Sequence, residues 1–220
     1  MGGPGHQVNS ADIESVYARA YAAFDRGDFC EARRLALECC NRSSKESYWH
    51  WGALGLRCWI YNFIDEEIDL REVAKKLLKS CPDAHRSWFA GLAHLNLGLW
   101  KRRHGDADGA RDSLAAATAA YEAYEIDSKQ PAAWALIPRY FAAVSRWVSG
   151  TGADDLERLN AEIAVYSEPE SAPAGLAVAV NLLCRHARGE AVQTDLDRAL
   201  AAGVSRAFLA PLLLLGGIKE

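Results

Sequence analysis

β-Branched residues are scarce in this 220-residue chain, and apolar/polar alternation nowhere persists for the length of a strand, so a sheet protein is not expected. Charge of one sign is also lacking: 25 basic against 29 acidic residues leave a net charge of −4, with no positive field to hold a phosphate backbone, and nucleic acid is not an expected partner. No apolar run reaches the roughly 20 residues of a membrane span. The longest, Ala174 to Val180 and Ala207 to Ile218, are short, and Pro211 interrupts the second. The six cysteines include no C-x-x-C pair, and the opening MGGPGHQVNS lacks the apolar core of a secretory leader. Reduced thiols in a soluble, cytoplasmic protein follow as the expectation. Nucleophile elbows, Walker A loops and dinucleotide fingerprints are missing, and no two of the six histidines are spaced for a shared metal. No catalytic residue, metal or cofactor is therefore expected.

What is present is alanine, leucine and a period of 3.6, which predict an all-α fold. Turn signals at Arg26-Gly27-Asp28, Asp65 to Asp69, His104-Gly105-Asp106, Ser149 to Gly152 and Arg188-Gly189-Glu190 recur every 38 to 46 residues or so, the spacing of stacked helix pairs. Five pairs are predicted: 11–25 with 28–41, 47–64 with 68–80, 84–103 with 106–126, 131–148 with 153–166, and 173–188 with 193–202. A short helix near 205–215 follows. Residues 1–10, rich in glycine, read as a flexible tail, and 11–220 as one domain. Pro131 suits a first helical turn. Pro138, seven residues further in, predicts a kink or a break.

Two segments carry a family likeness. Ala20-Tyr21-Ala22-Ala23-Phe24-Asp25-Arg26-Gly27-Asp28-Phe29-Cys30-Glu31-Ala32 resembles the centre of a tetratricopeptide repeat, and Gly98 to Ala110 repeats it. In that register Ala20 and Gly98 stand where helices cross, Gly27 and Gly105 at the turn, Ala32 and Ala110 at the second small contact, and Cys39 and Ala117 at a later one. Residues 46–82 have no Gly-Asp turn. The resemblance, to a divergent tetratricopeptide-repeat-like (TPR-like) protein, implies a right-handed α-α superhelix of about five antiparallel pairs with a C-terminal capping helix. It also implies that the first helix of each pair lines a concave groove.

Those first helices hold all seven tryptophans: Trp49, Trp51, Trp59, Trp88, Trp100, Trp134 and Trp147. Two roles stay open for the rings, filling the space between helices or stacking on a ligand. By the family register Tyr17, Tyr21, Asn96, Arg103, Tyr140 and Trp147 fall near groove positions, and Trp49 and Trp88 join them as aromatic candidates. Arg57 is the one full charge in the otherwise apolar segment 48–64, so it needs a partner, with Asp65, Glu66, Glu67 and Asp69 nearest in sequence, or else serves as an anion anchor. Arg139 follows Pro138 and completes the set of polar handles.

The mixture lacks the Lys/Asn-rich carboxylate clamp of chaperone-binding members of the family. The expected function is thus a non-enzymatic scaffold that binds an apolar peptide segment of a partner protein in a tryptophan-bearing groove. The alternative is a small-molecule binder or enzyme built on an aromatic helical cavity. An open groove favours the first, and a closed cavity of several hundred Å³ with converging polar groups favours the second. Phe208, Leu209 and Leu212 to Leu215 make the last helix too apolar for one face. It either folds back under the fifth pair or joins two chains as a homodimer.

Overall fold

The computed structural model describes residues 10–124, 132–165 and 175–216, which are helical and contain no strand. The N-terminal tail before Ser10, Pro131 and the ends predicted near 126 and 173 lie outside the described residues. Ten of the helices follow one another as α1 (Ser10–Arg26), α2 (Phe29–Arg42), α3 (Tyr48–Phe63), α4 (Glu67–Ser80), α5 (Asp83–Arg103), α6 (Ala107–Glu122), α7 (Leu136–Val148), α8 (Ala153–Val165), α9 (Leu176–Ala187) and α10 (Gln193–Ala201). An eleventh, α11 (Arg206–Leu215), closes the described chain. Neighbours in sequence pack together from α1 to α10, and α1 also touches α3, α3 touches α5, and α5 touches α7.

One backbone device makes the turns from α1 to α2, α3 to α4, α5 to α6, α7 to α8 and α9 to α10. The amides of Asp28, Glu66, Asp106, Thr151 and Glu190 donate to the carbonyls five residues back, those of Ala23, Tyr61, Lys101, Arg146 and Arg185, at 2.9–3.0 Å. This six-to-one closure requires a left-handed residue just before the donor. Gly27, Gly105, Gly150 and Gly189 supply it with φ between 80° and 93°. The second pair, where the sequence shows no Gly-Asp turn, uses Asp65 at φ 62° instead. Asp tolerates that region at a cost of about 1 kcal/mol. Its carboxylate also accepts hydrogen bonds from Trp100 Nε1 at 3.0 Å, from Arg103, and from His104 Nε2 at 3.2 Å, so the residue ties the second pair to the third.

Small residues let the helices approach. Ala20, Ala32, Cys39, Ala110 and Ala117 are buried, and a Cβ on Gly98 would lie 2.7 Å from Leu114. Gly105 has open space around it. A side chain there would be strained by the positive φ alone, and overpacking is not the reason for glycine at this turn.

One sequence expectation is corrected, and for Pro138 the structure shows the break rather than the kink. Arg57 pairs with none of the carboxylates that follow α3: its guanidinium donates to Tyr61 Oη at 3.0 Å and lies over the same ring, while Glu66 and Asp69 face Arg33. A phenol oxygen one helical turn away is simply closer than any acid. The fourth pair opens with a 3-10 turn (Ala132–Ala135) before α7, which places Pro138 third in α7. An amide in a first turn has no intrahelical acceptor, so the proline costs no hydrogen bond and causes no interior kink.

The C-terminal helix travels further than expected. Rather than resting under the fifth pair alone, α11 packs on α9, α5 and α1. Asp25, at the end of α1, caps it: Asp25 Oδ1 accepts from the Ser205 hydroxyl and the Arg206 amide, both at 3.0 Å, and the Asp25 carbonyl accepts from Arg206 Nε at 3.0 Å. From α7 the Tyr140 hydroxyl donates to the Phe208 carbonyl. Leu209, Ala210, Pro211, Leu212 and Leu214 are buried by this seat. Each large side chain so covered contributes roughly 1.5–3 kcal/mol.

Candidate aromatic cavity

Where α11 crosses the inner ends of α1, α3, α5 and α7 it leaves a cavity of about 460 Å³. Tyr17 and Tyr21 enter from α1, Tyr48, Leu56 and Trp59 from α3, Trp88, Phe89 and Leu92 from α5, Ile137, Pro138 and Phe141 from α7, and Ser205, Ala207 and Phe208 from the α11 side. Tyr124 and the half-exposed Trp134 complete the wall. Gly52 explains how Tyr17 reaches this position, since a Cβ there would stand 3.2 Å from the Tyr17 ring.

Phe141 is the hub of the apolar wall. Its ring lies 6.1 Å from Trp88, 6.2 Å from Trp59 and 5.9 Å from Phe208, and it stacks on Tyr121 at 5.5 Å. Ring contacts at these separations hold the wall rigid. Phenols share the lining, with the Tyr124 ring 5.5 Å from Trp88. None of the hydroxyls of Tyr17, Tyr48 and Tyr124 forms a hydrogen bond with another described residue, whereas the Tyr21 hydroxyl lies beside Ser205. Burial, then the neighbouring phenols Tyr48 and Tyr21, hold Tyr17 well above the ordinary tyrosine range. Burial likewise pushes Tyr21 up to about 12 and raises Tyr48, which feels Tyr124, and Tyr124 itself. These phenols stay protonated at neutral pH and can both donate and accept.

Among the described residues no Asp, Glu, His, Cys, Lys or Arg lines this cavity. An anion or cation entering it would lose its hydration without a counter-charge. A larger cleft of about 670 Å³ lies behind α7, against α6 and α8, and is the opposite in character. Its arginines are held by its own acids: Arg139 by Glu162, Arg146 by Glu122 and Asp155, and Arg158 by Asp155. Its charges are engaged in joining helices, so the aromatic cavity is the better candidate for a ligand.

The residues expected at a site divide accordingly. Tyr17, Tyr21 and Trp88 line the cavity. Trp49 packs 5.3 Å behind Tyr17, and Tyr140 supports Phe208 from below with its ring at 5.7 Å. The rest are elsewhere. Asn96 is buried between α3 and α5, where Asn62 Nδ2 donates to its carbonyl at 2.9 Å. Arg103 bonds Asp65 and the Asn62 carbonyl at the α3–α4 turn, Arg57 holds Tyr61, and Arg139 faces Glu162 on the other side of α7. Trp147 packs edge-on to His186, 5.9 Å away.

Tryptophan is thus less concentrated than the sequence suggested. Trp59, Trp88 and Trp134 line the cavity, but Trp51 donates to the Lys45 carbonyl at 2.7 Å and Trp100 stacks on His104. Sequence reasoning missed Tyr48, Tyr124, Phe141 and the whole contribution of α11. The signal for Tyr48 was weak but present, because Gly52 one turn on leaves room beside the first helix of the preceding pair.

Among the described residues no group of three or more His, Cys, Asp or Glu is placed to hold a metal, and no helix is long and apolar enough to cross a membrane. Compared with known proteins, the chain matches no family model, no curated protein and no solved structure.

Proposed function

We propose that this chain is a non-catalytic binding module whose aromatic cavity takes a neutral, largely apolar small molecule. The observation that carries the reading is the lining: a cavity of about 460 Å³ walled by aromatic rings, with phenol hydroxyls and, among the described residues, no charged side chain. Such a volume suits a drug-sized ligand, and such a lining offers burial and hydrogen bonds but no carboxylate, imidazole or amine among the described residues to act as a base. The architecture we infer around it is TPR-like, five helix pairs wound as a right-handed superhelix. Support comes from the recurring left-handed turns, the small buried residues where helices cross, and the contacts of α1 with α3, α3 with α5 and α5 with α7. Six free thiols, five of them wholly or partly buried, fit a reducing cytoplasm.

Nile red, neutral and fluorescent in apolar surroundings, tests the reading. It should bind the full chain at one site and saturate, and Ala207→Phe, which grows a ring into the cavity, should abolish the signal while far-UV circular dichroism is unchanged. Unsaturable fluorescence, or saturable fluorescence indifferent to the substitution, would overturn it.

A second reading, a scaffold for an apolar segment of a partner protein, is favoured by α11 itself, an apolar helix already seated on this face. It requires a short segment, since α11 occupies the rest of the groove. A synthetic copy of α11 that displaces Nile red competitively would support it.

A further inference from the structure

The cavity lining mixes ring faces with phenol hydroxyls, and a ligand that satisfies both is narrower than a generic apolar molecule. The rings of Trp88, Phe141 and Phe208 form a continuous aromatic surface. The hydroxyls of Tyr17, Tyr48 and Tyr124 share the lining, and none of them has a hydrogen-bond partner among the described residues. None of the three is a fully buried hydroxyl, so each is satisfied by whatever fills the cavity, water or ligand. Two other tyrosines of the fold are committed: Tyr140 donates to the Phe208 carbonyl, and Tyr61 accepts from Arg57. Tyr121, whose hydroxyl is buried without a partner, lies outside the cavity behind Phe141.

Resting on the reading of this cavity as a small-molecule site, we propose that its ligand is a neutral, planar, fused-ring or aryl compound with one hydroxyl or carbonyl group. The ring lies against Trp88 and Phe141, and the oxygen is held by the phenols of Tyr17 and Tyr48. An uncharged head is favoured because no cationic side chain among the described residues lines the wall. A flat body is favoured because the apolar wall is made of ring faces and edges, which pack best against another ring. The hydroxyl of such a ligand replaces water on the two phenols, so a ring without it leaves them unpartnered and binds more weakly.

Equilibrium dialysis of the full chain against 2-naphthol, naphthalene and 2-naphthoate at neutral pH decides the matter. The expected order is 2-naphthol at least tenfold tighter than naphthalene, with 2-naphthoate weaker than 2-naphthol by tenfold or more. In the double variant Tyr17→Phe with Tyr48→Phe the preference for 2-naphthol over naphthalene should collapse to within twofold, while naphthalene affinity is retained, which also shows that the cavity is intact. Equal binding of 2-naphthol and naphthalene by the parent chain overturns the polar head and leaves the cavity reading standing. Tightest binding by 2-naphthoate overturns the neutral class. If no naphthyl compound binds and Nile red also fails to saturate, the small-molecule reading itself falls.

Discussion

Two aspartates do the same structural work in opposite surroundings. Asp25 and Asp65 both lie at the C-terminal side of a pair's first helix, and each joins that pair to another: Asp25 to Ser205 and Arg206, Asp65 to Trp100, Arg103 and His104. Burial dominates at Asp25 and raises its pKa against the hydrogen bonds from Arg206 and Ser205. Burial acts at Asp65 too, but Arg103 and then His104 outweigh it and the pKa is lowered. The difference teaches that a carboxylate can tie distant helices either as a half-buried acceptor of a helix amide, at the expense of its own hydration, or as an exposed acceptor beside an arginine and a histidine. The first is insensitive to salt and depends on what covers it; the second depends on its charge.

The strongest way to break the comparison is to remove what Asp25 holds. A chain ending at Gly203 loses Phe208, Leu209, Leu212 and Leu214 from the interior, and at roughly 1.5–3 kcal/mol for each large side chain the loss approaches the whole stability of an ordinary domain. We expect no cooperative thermal transition by circular dichroism. A truncated chain that is a stable monomer, beside a full chain that sediments as a dimer, would instead make α11 an interface between two chains.

Asp25→Ala is the next largest change. It strips the cap from α11 and leaves the Ser205 hydroxyl and Arg206 amide unmatched, for a loss of about 1–2 kcal/mol in urea denaturation. Asp65→Ala should lose a comparable amount, because it keeps the left-handed strain and discards the network. Asp65→Gly should recover about 1 kcal/mol of that by relieving the strain. Equal midpoints for the two Asp65 variants would show that the backbone at this turn is not under strain.

Glycine substitutions give a smaller, sharper contrast. Gly27 and Gly105 have the same φ of 81°, but a Cβ at Gly27 would meet Arg206 at 2.9 Å and one at Gly105 would meet nothing within 4 Å. Both alanine variants should lose about 1 kcal/mol through strain. Gly27→Ala should lose a few tenths more, the extra being the displacement of Arg206. That excess should vanish in a background where Arg206 is already alanine.

Smallest of all is the dependence on pH, and its sign differs between the two. The folded pKa of Asp25 lies above the unfolded one, so its folded form binds the proton more readily, and its contribution to stability falls as pH rises from the ordinary carboxylate range through the raised value. Asp65 has a lowered folded pKa, so its contribution is complete above the ordinary range and is lost as pH falls through the lowered value. Urea midpoints from about pH 3 to 6 for Asp25→Asn and Asp65→Asn should therefore deviate from the parent in opposite directions. Deviations of the same sign would refute the assignment of burial to one and charge to the other.

The sequence announces the helices because glycine, aspartate and proline punctuate them: Gly27, Gly105, Gly150 and Gly189 all sit at the predicted turns with positive φ. Asp65 hides the equivalent turn, since aspartate is common in many local conformations and only its carboxylate network here selects the left-handed one. The path of α11 was illegible for a different reason. A helix apolar on most sides must be buried, but its pattern does not say against which helices. The cavity was partly legible. Tyr17, Tyr21 and Trp88 follow from helical register, whereas Asn96 and Arg103 share that register and turn instead to Asn62 and Asp65, partners that lie 34 and 38 residues away in sequence. Register fixes which way a side chain starts; the partner it finds fixes where it ends.

The hydrogen bond from Ser205 to Asp25 spans 180 residues of sequence. Arrays of stacked repeats ordinarily fray from their ends, each unit melting with little reference to units far away. Here α11 is pinned to α1, so local opening of either helix must break the contacts of Asp25 with Ser205 and Arg206.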